Sequence, residues 1–202
     1  MPLTSPETTD LDYFKYANGD VDVFRRTTRG WELWVLVRES VAIPRGGKGL
    51  FAGRAFSKGD RIGRYVGRIL GKARDPKLMD VTYTVEGDAI IDLGGYLIDG
   101  RRKVQSNDIQ KEKFGKVVLK QPEWSWPGAY VHLANDARGS GHKNNARITP
   151  KGHMELTRRL PAYDASKPHA QNVSSEILWS YGRDYWRNTA KLGTASMPYV
   201  VE

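Results

Sequence analysis

Apolar positions in this chain come in short bursts rather than in long helical stripes. Residues 31–38, Trp-Glu-Leu-Trp-Val-Leu-Val-Arg, form an aromatic and β-branched run of strand character. Pro44 and Gly46-Gly47 then punctuate the chain. Residues 50–56 read as a second strand. Residues 62–70 read as a third, with Ile62, Tyr65, Val66, Ile69 and Leu70 set among small and basic residues. Residues 81–85, 89–93 and 96–98 are further strand candidates. Short strands separated by Gly and Asp turns predict a mainly β fold that pairs distant segments.

No long amphipathic helix and no repeat period are visible. Residues 106–120 are charged and read as a short helix and a strand, or as an exposed insert. Residues 1–29 begin polar and turn-rich, with Pro2, Pro6 and Gly19, and read as an N-terminal arm. Residues 30–186 read as one domain with an insert at about 101–127. Residues 187–202, with Gly193 and Pro198, read as a loosely packed tail.

Composition narrows the classes. A length of 202 residues suits one domain, and 39% hydrophobic residues are enough for a core, which argues against global disorder. The net charge of +9 favours acidic partners, whether nucleic acid, nucleosome or an acidic protein surface. The absence of cysteine excludes disulfides and cysteine-zinc sites. His132, His142, His153 and His169 show no i, i+4 pairing, so no metal is expected. The N-terminus lacks a secretory pattern, and no apolar run approaches the ~20 residues that span a bilayer. The expectation is a soluble intracellular protein, nuclear or cytoplasmic.

The candidate chemistry begins at Arg45-Gly46-Gly47-Lys48-Gly49. The spacing is wrong for a P-loop, and an aromatic strand-like run follows where a dinucleotide fingerprint would open a helix. What remains is a turn whose backbone a ligand can approach closely, or an ordinary glycine-rich hairpin turn.

Read together, Gly47-Lys48-Gly49-Leu50-Phe51-Ala52, Lys58-Gly59-Asp60 and Tyr65-Val66-Gly67 resemble the opening motifs of SET-domain protein lysine methyltransferases. His132-Leu133-Ala134-Asn135-Asp136-Ala137 stands where that family carries R-F-[IL]-N-H-S. Asn144-Asn145-Ala146 stands where it carries P-N-A. Glu176-Ile177-Leu178-Trp179-Ser180-Tyr181-Gly182 resembles its closing motif. The stretch Tyr181-Gly182-Arg183-Asp184-Tyr185-Trp186 is similar to minimal viral SET enzymes that lack a post-SET zinc module.

The resemblance implies a SET-domain fold of several small twisted sheets with few short helices. It implies S-adenosyl-L-methionine as cofactor, held by the backbone at Lys48, Gly49 and Leu50, by Asn135 and Asp136, and by Trp186 on the adenine. It implies Tyr181 as the catalytic hydroxyl, with Tyr83 and Trp179 along the lysine channel. The implied partners are a lysine-bearing protein, a histone tail among the candidates, and a second copy of the chain in a homodimer. Two departures stand out: His132 and Asp136 replace the family's Arg and His. A degenerate SET fold that docks chromatin or nucleic acid without turnover is the alternative reading.

Overall fold

In the computed structural model of the protein, residues 11–44, 46–65 and 130–181 are described in full, and 68–72, 90–93 and 96–99 as backbone. The fold is mainly β, as expected. Eleven strands among the described residues form three small antiparallel sheets. Strands β1 (Leu11–Lys15), β2 (Val21–Thr27), β3 (Gly30–Glu39), β4 (Lys48–Ala52) and β11 (Glu176–Ile177) build the first, in that order. Strands β5 (Arg61–Arg64), β9 (Ala146–Ile148) and β10 (His153–Leu156) form the second, with β10 in the middle. Strands β6 (Arg68–Lys72), β7 (Ile90–Leu93) and β8 (Tyr96–Asp99) form the third, with β8 in the middle. Among the described residues, helix is confined to short 3-10 turns at Val131–Leu133 and His169–Ser175. No helix among the described residues is long and apolar enough to cross a membrane.

The core lies between the first two sheets. Val21, Val23, Val35, Val37, Leu50, Ala52 and Ile177 meet Ile62, Met154 and Leu156, with Tyr130, Ala134 and Trp179 between them. Each such apolar side chain removed from water contributes about 1.5–3 kcal/mol, less for alanine. Two bulges shape this contact. Val23 pairs with Val35 and Phe24 with Leu33, so β3 carries Trp34 as an extra residue and turns its indole inward. Opposite β10, Ile62 is likewise the extra residue of β5. Its carbonyl, outside the ladder, accepts from Trp34 Nε1 at 2.6 Å and Tyr130 Oη at 2.8 Å.

Several boundaries differ from expectation. Residues 11–27, expected to be arm, are the first two strands of the main sheet, and Val21 and Val23 are fully buried. Asn18-Gly19 carries the hairpin signal between them. The strand expected at 62–70 divides into β5 and β6, which belong to different sheets. The strand expected at 50–56 runs instead over Lys48–Ala52, and Phe56 makes an isolated bridge to Leu160. The β9–β10 hairpin was not anticipated; its alternation, Met154 and Leu156 inward, spans too few residues to stand out. The candidates at 81–85 and 106–120, the insert at 101–127 and the tail at 187–202 lie outside the described residues.

Candidate functional site

The opening turn is held from beneath by Glu176. This carboxylate is fully buried, yet no cation among the described residues meets it. Ser40 Oγ donates to it at 2.5 Å, Val41 N at 2.9 Å and Ala42 N at 2.7 Å. Its three neutral donors wind residues 40–42 around one side chain, and Ser40 N then donates to Gly47 O at 2.7 Å to close the loop. A Cβ at Gly49 would lie 2.6 Å from Glu176 Oε1 and 3.3 Å from Asn135 Nδ2. Glycine there is thus required by packing against the two later motifs. Gly47 has φ +67°, a conformation that favours glycine, and no atom of the described residues, its chain neighbours aside, lies within 4 Å of the place its Cβ would take. The turn is therefore closed on the Gly49 side and open on the Gly47 side.

The closing segment is hydrogen-bonded on both sides. Trp179 N donates to Asn135 O at 2.9 Å, while Asn145 N and Ala146 N donate to Leu178 O at 2.8 and 2.9 Å. The Asn145 side chain spans a turn of the same segment: Nδ2 donates to Glu176 O at 2.8 Å and Oδ1 accepts from Leu178 N at 2.9 Å. A buried amide with both ends engaged fixes register sharply, because a slip strands a donor and an acceptor together.

Residues 134–136 join the two halves. Asn135 Nδ2 donates to Lys48 O at 3.3 Å. Ala134 O accepts from Trp179 Nε1 at 2.9 Å and from Tyr181 Oη at 3.3 Å. Tyr181 N donates to Asp136 Oδ2 at 2.8 Å. The stretch that reaches the opening turn through Asn135 is therefore the one that anchors Tyr181. No sequence signal reveals the Ala134 carbonyl, since a main-chain acceptor carries no side-chain identity.

The residues expected at the site take distinct positions. Leu50 is fully buried in the core, and Lys48 and Gly49 precede it on β4. Asp136 is buried. Besides Tyr181 N it accepts from Arg138 N at 2.9 Å and Asn144 Nδ2 at 3.2 Å. It works within the chain as a staple for Tyr181. Trp179, expected along a channel, is a core residue whose ring meets that of Tyr181 edge-on at 5.3 Å. The Tyr181 ring is half-buried against the same core. Tyr83 and Trp186 lie outside the described residues. Among the described residues, no cluster of His, Asp and Glu gathers to hold a metal.

The side chain of Lys48 turns away from this junction into a cleft of about 380 Å³ lined by Asn18, Asp20, Arg38, Glu39, Tyr163 and His169. Lys48 Nζ lies 2.8 Å from both Asp20 Oδ1 and Glu39 Oε1. Arg38 pairs with Asp22 and sits 3.7 Å from Asp20 Oδ2. Burial pushes the Asp20 carboxyl up, but hydrogen bonds from Lys48 and Asn18 and the nearby cations together outweigh it and hold the group below the ordinary carboxylate range. Burial likewise pulls the Lys48 ammonium down, and its contacts with Asp20 and Glu39 more than reverse this, leaving it above its usual value. The cleft's charges are thus largely spent on one another, and Tyr181 does not line it.

Neither a protein-family model nor a curated protein matches the chain.

Proposed function

We propose that the chain is an S-adenosylmethionine-dependent protein lysine methyltransferase. One observation carries this reading: two sequence-distant segments, the Gly47–Leu50 turn and the stretch from Glu176 to Tyr181, meet on a third, residues 134–136. These are the segments whose wording resembles the SET family. The open side of Gly47 supports a ligand approaching the backbone of the turn. The residues that would hold the cofactor are Lys48, Gly49 and Leu50 through their backbone, with Asn135. The cofactor supplies a methyl group already activated on a cationic sulfur.

The chain's own residues orient the acceptor. Tyr181 donates its hydroxyl proton to Ala134 O, and a phenol oxygen that donates in this way also has acceptor capacity of the kind that orients a lysine amine. The Asp136 contact with Tyr181 N and the edge of Trp179 hold the ring in place. A lysine at its ordinary pKa of ~10.4 must lose its proton before attack, and burial beside a cation favours that loss.

The test has two stages. Calorimetry with S-adenosylmethionine and S-adenosylhomocysteine is expected to register binding that Tyr181→Phe preserves. Mass spectrometry of histone-tail peptides is then expected to register added methyl groups, with the rate falling roughly 100-fold in Tyr181→Phe. Absence of cofactor binding overturns the proposal. Cofactor binding without turnover on any protein substrate favours the second reading, a docking module. The observation behind that reading is the full engagement of Asp136 and the Trp179 N–H inside the chain.

A further inference from the structure

The site described above makes no use of a second arrangement on the main sheet. Trp34 is 5% exposed, and two guanidinium groups lie on its ring. The Arg25 and Arg54 guanidinium carbons are each 4.6 Å from the Trp34 ring centroid, and Arg54 is also 4.6 Å from that of Phe56. Neither cation is farther from the other than twice that distance. Each gains from the ring's electron-rich face, but like charges so close repel unless an anion joins them.

Among the described residues no anion does. Arg38 and Arg147 each have a carboxylate partner. The side chains of Arg25 and Arg54 have neither an ion pair nor a hydrogen bond among the described residues. Glu32, directly across the ladder from Arg25, accepts instead from Thr27 Oγ1 at 3.3 Å. The Nε of Arg54 is buried without a hydrogen-bond partner among the described residues.

The stack is built in by the backbone. Gly53 N donates to Trp34 O at 2.9 Å, and a Cβ at Gly53 would meet the Trp34 carbonyl carbon at 2.8 Å. Only glycine allows β4 to leave the sheet this close to Trp34, and the next residue is Arg54. The guanidinium is therefore aimed before any ligand arrives, which lowers the ordering cost of binding. Around the same β2–β3 hairpin, Arg26 and Arg29 are exposed, and Trp31, 52% exposed, stands directly across from Arg26.

We propose that this hairpin binds single-stranded nucleic acid. Arg25 and Arg54 take backbone phosphates, and Trp31 with Arg26, on the opposite face of the ribbon, takes an unpaired base of a strand that wraps the hairpin's end. The guanidinium fork matches phosphate oxygens in pairs, and an indole stacks on any base, a contact an acidic peptide does not offer. The proposal stands apart from methyl transfer, because its readout is binding in the absence of cofactor.

Fluorescence anisotropy of a labelled single-stranded oligonucleotide, about 12 nucleotides long, titrated with the full chain over a series of salt concentrations, tests it. The double variant Arg25→Gln/Arg54→Gln is expected to bind at least tenfold more weakly, with the salt slope reduced by about 1.4, as for two lost phosphate contacts. Trp31→Ala is expected to weaken binding about tenfold with the slope unchanged. Lys167→Gln, a lysine already paired with Asp164, is expected to change nothing. Should the double variant fail to melt cooperatively, the exposed pair Arg26→Gln/Trp31→Ala carries the test, with loss of binding as the expected result. Unchanged binding in these variants overturns the proposal. So does equal affinity for polyglutamate, which marks an acidic protein as the partner, or a preference for duplex that Trp31→Ala leaves intact.

Discussion

Gly49 and Lys48 are neighbours in sequence, yet the polar clusters that hold them work by opposite means. Around Gly49 the cluster is buried. Glu176, Asn145 and Asp136 are satisfied largely by main-chain groups, hydroxyl and amide, with distances set by the backbone. Around Lys48 it is partly exposed and ionic, with Asp20, Glu39 and Arg38 trading charge. In the buried cluster a lost partner leaves groups that water cannot reach, so each bond is costly to remove. In the exposed cluster water and salt replace a lost partner, so each pair contributes little. Geometry at the junction is therefore set from the Glu176 side, and the Lys48 side trims it.

Breaking the buried cluster carries the largest expected effect. Glu176→Ala leaves the Ser40 hydroxyl and the Val41 and Ala42 N–H groups without their acceptor, and about 4 kcal/mol of stability is expected to go. That is a large part of the whole for a domain of this kind. Urea denaturation reads the loss. Glu176→Gln keeps an acceptor for the two N–H groups and is expected to lose less than half as much. A cost for the alanine variant near that of an average surface change would show that the 40–42 loop does not depend on this carboxylate.

Gly49→Ala comes next, at about 1–3 kcal/mol for overpacking. The clash is with the Glu176 carboxylate and the Asn135 amide, so the two sites should not act independently. A double-mutant cycle with Glu176→Ser is expected to give a double variant less damaged than the two single losses predict, by about 1 kcal/mol. Simple additivity would mean that the backbone, rather than the carboxylate, limits this position.

Asp20→Asn is the smallest, at about 0.5 kcal/mol and fading at high salt. Its pH dependence sharpens the contrast. Asp20 is held below its unfolded value, so its contribution is present above about pH 4 and lost as pH falls through the lower folded value. Lys48 is held above its unfolded value, so its contribution is present below about pH 10 and lost as pH rises through the higher folded value. Stability of the wild type relative to Asp20→Asn is thus expected to stay level between about pH 5 and 9 and to shrink at the acid end. A difference that varies through neutral pH would place the titrating group elsewhere.

Local patterns carried the fold a long way. The apolar run at 31–38 needed no partner to be recognised as a strand, and β3 covers it. The glycines at 47 and 49 stood out as a turn approachable at the backbone. Other features could not be read this way. Val21 and Val23 alternate with Asp22 and Phe24 for too short a span to outweigh the turn residues before them, so the first hairpin passed for an arm. Asp136 suggested a ligand contact, and its bond to Tyr181 N shows an internal use.

Strand character, turns and charge are properties of neighbouring residues, so composition and periodicity expose them to a reader of the bare chain. The meeting of Ser40 with Glu176 is of another kind. Those residues stand 136 positions apart, and their hydrogen bond exists only because β4 pairs with both β3 and β11. The same holds for the Ala134 carbonyl beneath Tyr181 and for the two arginines on Trp34. Each depends on chain closure and on atoms whose position, not identity, makes the contact.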